Sequence, residues 1–303
     1  MEFLENEKAK AMLHDMTVHG RASHAVLLCG SRGTGKKLFA RYLAAAYLCE
    51  KNPPCFSCTS CKKVLSGLHP DVREITQYTK PRSFPVDEVR RIRREAYISP
   101  NEGACRVFIL ANLESMGQEA QNALLKIIEE PPEHARFIFT AQDTGAALPT
   151  VLSRVVTVPI APISEAAALH EVRRLCPQAD EAAIALVNRF FPGNIGRMTE
   201  ALNTPELLAE AADAAAAVES VKRNDRYETL RLLTQKASSK LLGDFLDDLE
   251  ILSERSLGAE DDEALPKRRQ MKMLQAAMEA KKSLAMNANK ALLMTALCVK
   301  LYE

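Results

Sequence analysis

Five short segments rich in apolar, β-branched or aromatic residues punctuate the first half of the chain: Ala25-Val26-Leu27-Leu28, Val72-Arg73-Glu74-Ile75, Val107-Phe108-Ile109-Leu110, Phe137-Ile138-Phe139-Thr140 and Val155-Val156-Thr157-Val158. Runs this short and this apolar predict strands covered on both faces. Between them the spacing turns helical. Met1 to about Gly20 predicts a helix with Leu4, Ala9, Met12 and Leu13 as apolar positions, and a second helix leaves Leu38 and runs to about Leu48. Val86 to Arg94 predicts a third, with Val86, Val89 and Ile92 on one side and a run of arginines on the rest. Such a charge run fits a solvated face, and also a surface that touches phosphate. A fourth places Ala120, Leu124, Ile127 and Ile128 on one face and Asn122, Lys126 and Glu129 on another, until Pro131-Pro132 stops it. Strands alternating with helices predict an α/β fold with a parallel sheet.

The second half has no strand pattern. Periodicities such as Ala167-Leu169-Val172-Leu175 and Ala185-Leu186-Phe190 suit a small helical unit over 162–204. Beyond Pro205 the chain is helical in character, with an alanine-rich stretch at Ala209 to Ala217 and a polar interruption expected from Ser253 to Arg269.

Length and charge narrow the function. At 303 residues the chain exceeds one small core, and 40 basic against 39 acidic residues leave no bulk field to announce a nucleic-acid binder. No apolar run approaches the ~20 residues of a membrane span, and the acidic start Met1-Glu2-Phe3-Leu4-Glu5 does not resemble a signal peptide, so a cytoplasmic protein is expected.

Between the first strand and its helix lies Gly30-Ser31-Arg32-Gly33-Thr34-Gly35-Lys36-Lys37. Glycines there let successive N–H groups face one anion at a helix N-terminus while a lysine supplies a point charge, the requirements of a phosphate-binding loop. Gly30, Gly33, Gly35 and Lys36 are the candidate nucleotide ligands. Lys37 stands where the pattern needs a Ser or Thr hydroxyl for Mg²⁺. A second deficiency follows the third strand, where an ATPase places an Asp for the metal and commonly a Glu for the attacking water. Ala111 and Asn112 occupy those places, and Glu114 lies two residues further along. Intrinsic hydrolysis is therefore not expected, although nucleotide binding without hydrolysis is physically reasonable.

Cys49, Cys55, Cys58 and Cys61 are spaced C-x5-C-x2-C-x2-C between prolines and serines. Four thiolates at such gaps satisfy a tetrahedral Zn²⁺ of structural type; free thiols or a redox pair are the alternatives. Cys29, Cys105, Cys176 and Cys298 sit singly in apolar segments and read as small buried hydrophobes.

Asn122-Ala123-Leu124-Leu125-Lys126-Ile127-Ile128-Glu129-Glu130-Pro131-Pro132 closely resembles the NALLK-x-x-EEPP signature of the bacterial clamp-loader AAA+ family. The cysteine insert looks like that family's zinc module, and Ser153-Arg154 is similar to its Ser-Arg-Cys motif with Val155 in place of Cys. Gly193-Asn194-Ile195-Gly196-Arg197 is similar to its sensor-two segment, and Asn287-Ala288-Asn289 lies where its collar helices carry an Asn pair. The resemblance implies an AAA+ P-loop domain over 1–161 with the zinc module at about 49–61, a lid over 162–204 and a collar for oligomerisation over 205–303. It implies a hetero-oligomer with gamma/tau motor subunits and a delta subunit that loads a sliding clamp onto primer-template DNA during replication. In that setting the damaged site matches the members that do not hydrolyse ATP. Arg154 is then implied as an arginine finger acting in trans on a neighbour's ATP, and Arg197 as either a phosphate contact or a structural salt bridge. An active ATPase that recruits Glu114, and a zinc-dependent nucleic-acid module outside replication, are the competing functions.

Overall fold

The computed structural model describes residues 5–18, 23–51, 53–80, 82–258 and 267–302. Two compact units divide at residues 164 and 165.

In the first unit the order is α1 (Glu7–Val18), β1 (Ala25–Cys29), α2 (Lys36–Leu48), α3 (Thr59–Ser66), β2 (Val72–Ile75), α4 (Val86–Ala96), β3 (Arg106–Leu110), α5 (Gln118–Glu129), β4 (Ala135–Ala141), α6 (Pro149–Leu152) and β5 (Val156–Pro159). Leu4 and Gly20 of the first expected helix lie outside the described residues. The strands form one parallel sheet in the order β2-β3-β4-β1-β5, with Leu27 opposite Phe139 and Thr157.

Alternation across the pleat sorts the apolar residues into two cores. Leu27, Phe108, Leu110, Phe137 and Phe139 face α4 and α5, where Val89, Ile92, Leu124, Ile127 and Ile128 are buried. Val26, Leu28, Val107, Ile109 and Ile138 face α1, α2 and α3, against Leu13, Phe39, Leu43 and Val64. With both faces covered, β1 is buried at every position, which is why it reads as an unbroken apolar run. The unit extends through Ser164 because the start of the chain clasps it: Asn6 exchanges hydrogen bonds with the backbone of Ala161, and Glu5 accepts from the Ser164 N–H and hydroxyl.

One buried carboxylate organises the end of the sheet nearest the cysteines. Asp71, just before β2, accepts from the N–H groups of Asn101, Glu102 and Gly103 at 2.6, 2.9 and 2.8 Å. Burial opposes its charge, but these bonds outweigh it and hold the carboxyl below its ordinary value.

The second unit is helical: α7 (Glu165–Leu175), α8 (Glu181–Phe190), α9 (Ile195–Leu202), α10 (Pro205–Lys222), α11 (Arg226–Lys236), α12 (Leu242–Gly258), α13 (Lys267–Ala285) and α14 (Lys290–Tyr302). Two expectations need correction. The buried faces are Ala168 and Val172 on α7 and Ile184, Val187 and Phe190 on α8, while Leu175 is exposed. Alanines on both sides of each helix blur the periodicity enough to shift the face by a residue. The polar interruption is also shorter than Ser253 to Arg269, since α12 continues to Gly258 and α13 starts at Lys267. Ser253 stays helical because its buried hydroxyl donates to the Leu249 carbonyl, as serine can within a helix.

Asp248 on α12 is buried, and burial raises its carboxyl to about 7; Arg197 opposes the rise, while Asp244, Asp247 and Glu210 add to it. The folded chain thus holds a proton here that the unfolded chain, titrating near ~3.9, has released. Stability contributed at this site falls as pH rises from about 4 through 7. Asp248→Asn is expected to be more stable than the parent at pH 8, by on the order of 1–3 kcal/mol, and equal to it at pH 4. Urea melts at the two pH values check the sign.

Candidate nucleotide loop, cysteine cluster and surface arginine

The glycine-rich loop between β1 and α2 is built by close approach. Gly30 donates its N–H to Ala141 O at 3.1 Å, and Ile160 donates to Cys29 O at 2.6 Å. A Cβ at position 30 would lie 2.1 Å from Ile160 O, so only glycine fits. Gly33 and Gly35 have φ of 86° and 88°, the left-handed region glycine occupies without cost. Lys36 reaches back to the loop carbonyls, donating to Gly30 O at 2.5 Å and Ser31 O at 2.8 Å. Burial lowers its ammonium from the ordinary lysine value, with the Glu114 carboxylate pulling the other way.

The two deficiencies have structural occupants. Lys37 Nζ lies 3.6 Å from Glu74 Oε2, and Arg41 grips the same carboxylate through Nε and Nη2 at 2.6 and 3.0 Å. Lys37 therefore joins Arg41 of α2 around Glu74 of β2 and offers no metal-binding oxygen. Beyond β3, Asn112 adopts φ 59° and ψ 67°, with its N–H donating to Thr140 Oγ1 at 3.1 Å and its Nδ2 to Tyr78 O at 3.2 Å. Asn112 thus ties the turn after β3 to strand β4 and to the segment after β2. Glu114 follows in a single 3-10 turn, Leu113–Ser115, and its Oε2 is buried without a hydrogen-bond partner among the described residues. Sequence alone gave no sign of Glu74, Thr140 or Tyr78, whose roles depend on neighbours across the sheet.

Cys49, Cys55, Cys58 and Cys61 converge, their Sγ atoms all within 4.8 Å of one another. Sulfurs bound to one tetrahedral ion at ~2.3 Å would be about 3.8 Å apart, and Cys49 Sγ lies 3.6 Å from Cys55 Sγ and 4.0 Å from Cys58 Sγ. Backbone N–H groups of Lys51, Cys55, Cys58 and Cys61 donate to these sulfurs at 3.4–3.5 Å, an environment that favours thiolate. Hydrogen bonds from Ser57 and Cys58 bring the Cys55 thiol down to about 5, whereas burial and the neighbouring sulfurs push Cys61 up to about 12. The donor set fits zinc. All eight cysteines are free, and Cys29, Cys105, Cys176 and Cys298 are buried singly.

Ser153-Arg154 follows α6 on the surface. Arg154 Nε pairs with Glu129 Oε1 at 2.8 Å, while Nη1 donates to Thr150 O at 2.9 Å and Ser153 Oγ at 3.0 Å. In the second unit, Arg197 has its Cζ 4.5 Å from the Phe191 ring centroid and its Nη1 3.4 Å from Glu200 Oε2, with its backbone capped by Asn194. Asn287 takes the left-handed turn after α13, and Asn289 Oδ1 accepts from Leu292 N to cap α14. Among the described residues, no helix is long and apolar enough to cross a membrane.

The profile of the family described as DNA polymerase III, delta subunit, matches residues 5–164, just over half of the chain. The gamma/tau subunit of DNA polymerase III from Mycobacterium tuberculosis is 33% identical over 219 residues, 70% of this chain and 37% of the relative. The gamma subunit from Buchnera aphidicola is 36% identical over 149 residues, 48% of this chain and 40% of the relative. The chain thus spans well under half the length of these curated relatives. A solved gamma subunit-related protein of DNA polymerase III from Thermotoga maritima is 18% identical, with 97% of this chain and 98% of that one covered at a TM-score of 0.48. On the family match over the P-loop unit, this chain belongs to the DNA polymerase III delta-subunit family of clamp-loader AAA+ proteins.

Proposed function

We propose that this chain is a delta-prime subunit of a bacterial DNA polymerase III clamp loader, one that does not hydrolyse ATP and donates Arg154 to the ATP site of a neighbouring motor subunit. Its partners are gamma/tau and delta subunits, with a sliding clamp and primer-template DNA engaged through the assembled complex in the cytoplasm. The observation that carries this reading is the commitment of both replaced positions to other work: Lys37 to Glu74, and Asn112 to Tyr78 and Thr140. Phosphoryl transfer needs a held metal and an oriented, activated nucleophile; Lys37 offers no oxygen for the metal, and the Asn112 amide has no basicity to activate a water. Gly30, Gly33, Gly35 and Lys36 keep a capacity for weak ATP or ADP binding, because cradling phosphate and cleaving it use different groups.

In this reading 162–204 form the lid and 205–303 the collar through which subunits assemble. The cluster of Cys49, Cys55, Cys58 and Cys61 holds a structural Zn²⁺ that staples a segment too small to fold alone. Arg197 serves chiefly as a structural cation beside Glu200 and Asp248, with phosphate contact a secondary role.

The test uses the purified chain. It is expected to show no steady-state ATPase above background, with or without primed DNA, and to stimulate clamp loading when added to motor and delta subunits. The buried, unpartnered Oε2 of Glu114 in the field of Lys36 favours a second reading, an active ATPase of the gamma/tau type. Hydrolysis by the isolated chain that disappears in Lys36→Ala would establish that alternative.

A further inference from the structure

We infer that Glu129 is a positioning residue for Arg154, holding its guanidinium in the pose from which it reaches a neighbouring subunit's phosphate. The inference rests on the reading of Arg154 as a finger given above. Glu129 is the last residue of α5, where unsatisfied helix carbonyls already make the surroundings negative and a carboxylate is locally disfavoured. Local helix preference therefore does not account for it. What accounts for it is the cation opposite: Glu129 Oε1 stands 2.8 Å from Arg154 Nε.

The other contacts of Arg154 complete a brace. Nη1 is held by hydrogen bonds to the Thr150 carbonyl and the Ser153 hydroxyl, and the Glu129 carboxylate stands against Nε as an ion pair. Nη2 makes no hydrogen bond among the described residues, which leaves one end of the fork for an incoming oxygen. Both side chains are surface groups, 38% exposed for Arg154 and 42% for Glu129, so the pair sets a direction without anchoring the fold. A long arginine otherwise samples many rotamers, and fixing it before the phosphate arrives removes that loss from the reacting step.

The experiment is a double-mutant cycle in a complex reconstituted with motor and delta subunits, reading single-turnover ATP hydrolysis. Glu129→Gln is expected to lower the rate about tenfold at unchanged KM for ATP, and Glu129→Asp to recover part of it. In the Arg154→Ala background, Glu129→Gln should have no further effect, because its action passes through the guanidinium. In the isolated chain, the rate at which phenylglyoxal modifies Arg154, followed by mass spectrometry, should rise in Glu129→Gln while the melting temperature stays put. Wild-type turnover in Glu129→Gln beside impaired turnover in Arg154→Ala would overturn the positioning role and leave the finger standing. An equal loss from Glu129→Gln with and without Arg154 would overturn it too, placing Glu129 at some other contact. If Arg154→Ala itself turns over normally, the finger reading fails, and the positioning role goes with it.

Discussion

Arg154→Ala is expected to slow ATP hydrolysis at the adjoining motor site of the reconstituted complex by about 10³-fold, the lower end of what an arginine finger contributes. The physical reason is the charge that builds on the transferred phosphoryl oxygens. The guanidinium presents its charge and its Nη2 donors to them in a site from which water is excluded, and alanine supplies neither. Arg154→Lys should recover little, since an ammonium is a compact charge without the fork. Assembly should survive both substitutions, because the intramolecular contacts of Arg154 are an exposed ion pair and two hydrogen bonds at the surface. Size-exclusion chromatography of the mutant complex and a rapid-quench hydrolysis assay separate assembly from turnover. An intact complex with normal turnover would remove Arg154 from the mechanism.

The largest effect on structure is expected at the cysteines. Replacing Cys58 and Cys61 by serine should reduce bound zinc from one per chain to none, measured by elemental analysis, and should open the segment from Cys49 to Ser66 to protease. Structural zinc sites contribute on the order of 10 kcal/mol to the small folds they hold, far more than the few contacts this segment makes by itself. The loss should reach beyond the module. Cys61 and Val64 are fully buried against the α2 side of the sheet, so releasing α3 exposes part of that core. Cys176→Ser, a change in the other unit, should leave the zinc content untouched. Normal folding and protease resistance in metal-free protein would show that the four thiols need no ion.

The sheet was legible because its strands are apolar on both sides and separated by helices with clear faces. All five strands lie within a residue or two of where the pattern puts them: β2 has the expected bounds, β1 ends one residue later, β3 starts one earlier, β5 is shifted one residue on, and β4 is two residues longer at its start and one at its end. The deficiencies of the P-loop were also legible, since they are absences of particular atoms at fixed spacing. What replaced those atoms was not. Glu74 reads as an ordinary polar strand residue, and only the pairing of β2 with the sheet brings it to Lys37 and Arg41. Gln121 reads as a polar residue on a helix, yet it is buried, donating to Met116 O and Ala146 O and accepting from Leu148 N. Glu129 and Arg154 meet only because α5 and α6 pack together. Contacts between residues distant in sequence leave no periodic signal, so each of these roles required coordinates.

The strand order also carries a consequence for how the chain comes into being. β1 lies between β4 and the edge strand β5, with Ala25 paired with Phe137 and Val26 with Val156. During synthesis β1 leaves the ribosome early and must wait, unpaired and wholly apolar, until more than a hundred further residues have been made. Contacts of such long sequence separation form slowly and leave sticky edges exposed meanwhile. The cysteine segment is different, because its four sulfurs lie within thirteen consecutive residues and can close on an ion as soon as they emerge. Once closed, it would keep α2 and α3 together beside the waiting strand, so metal supply during translation should govern the yield of native protein.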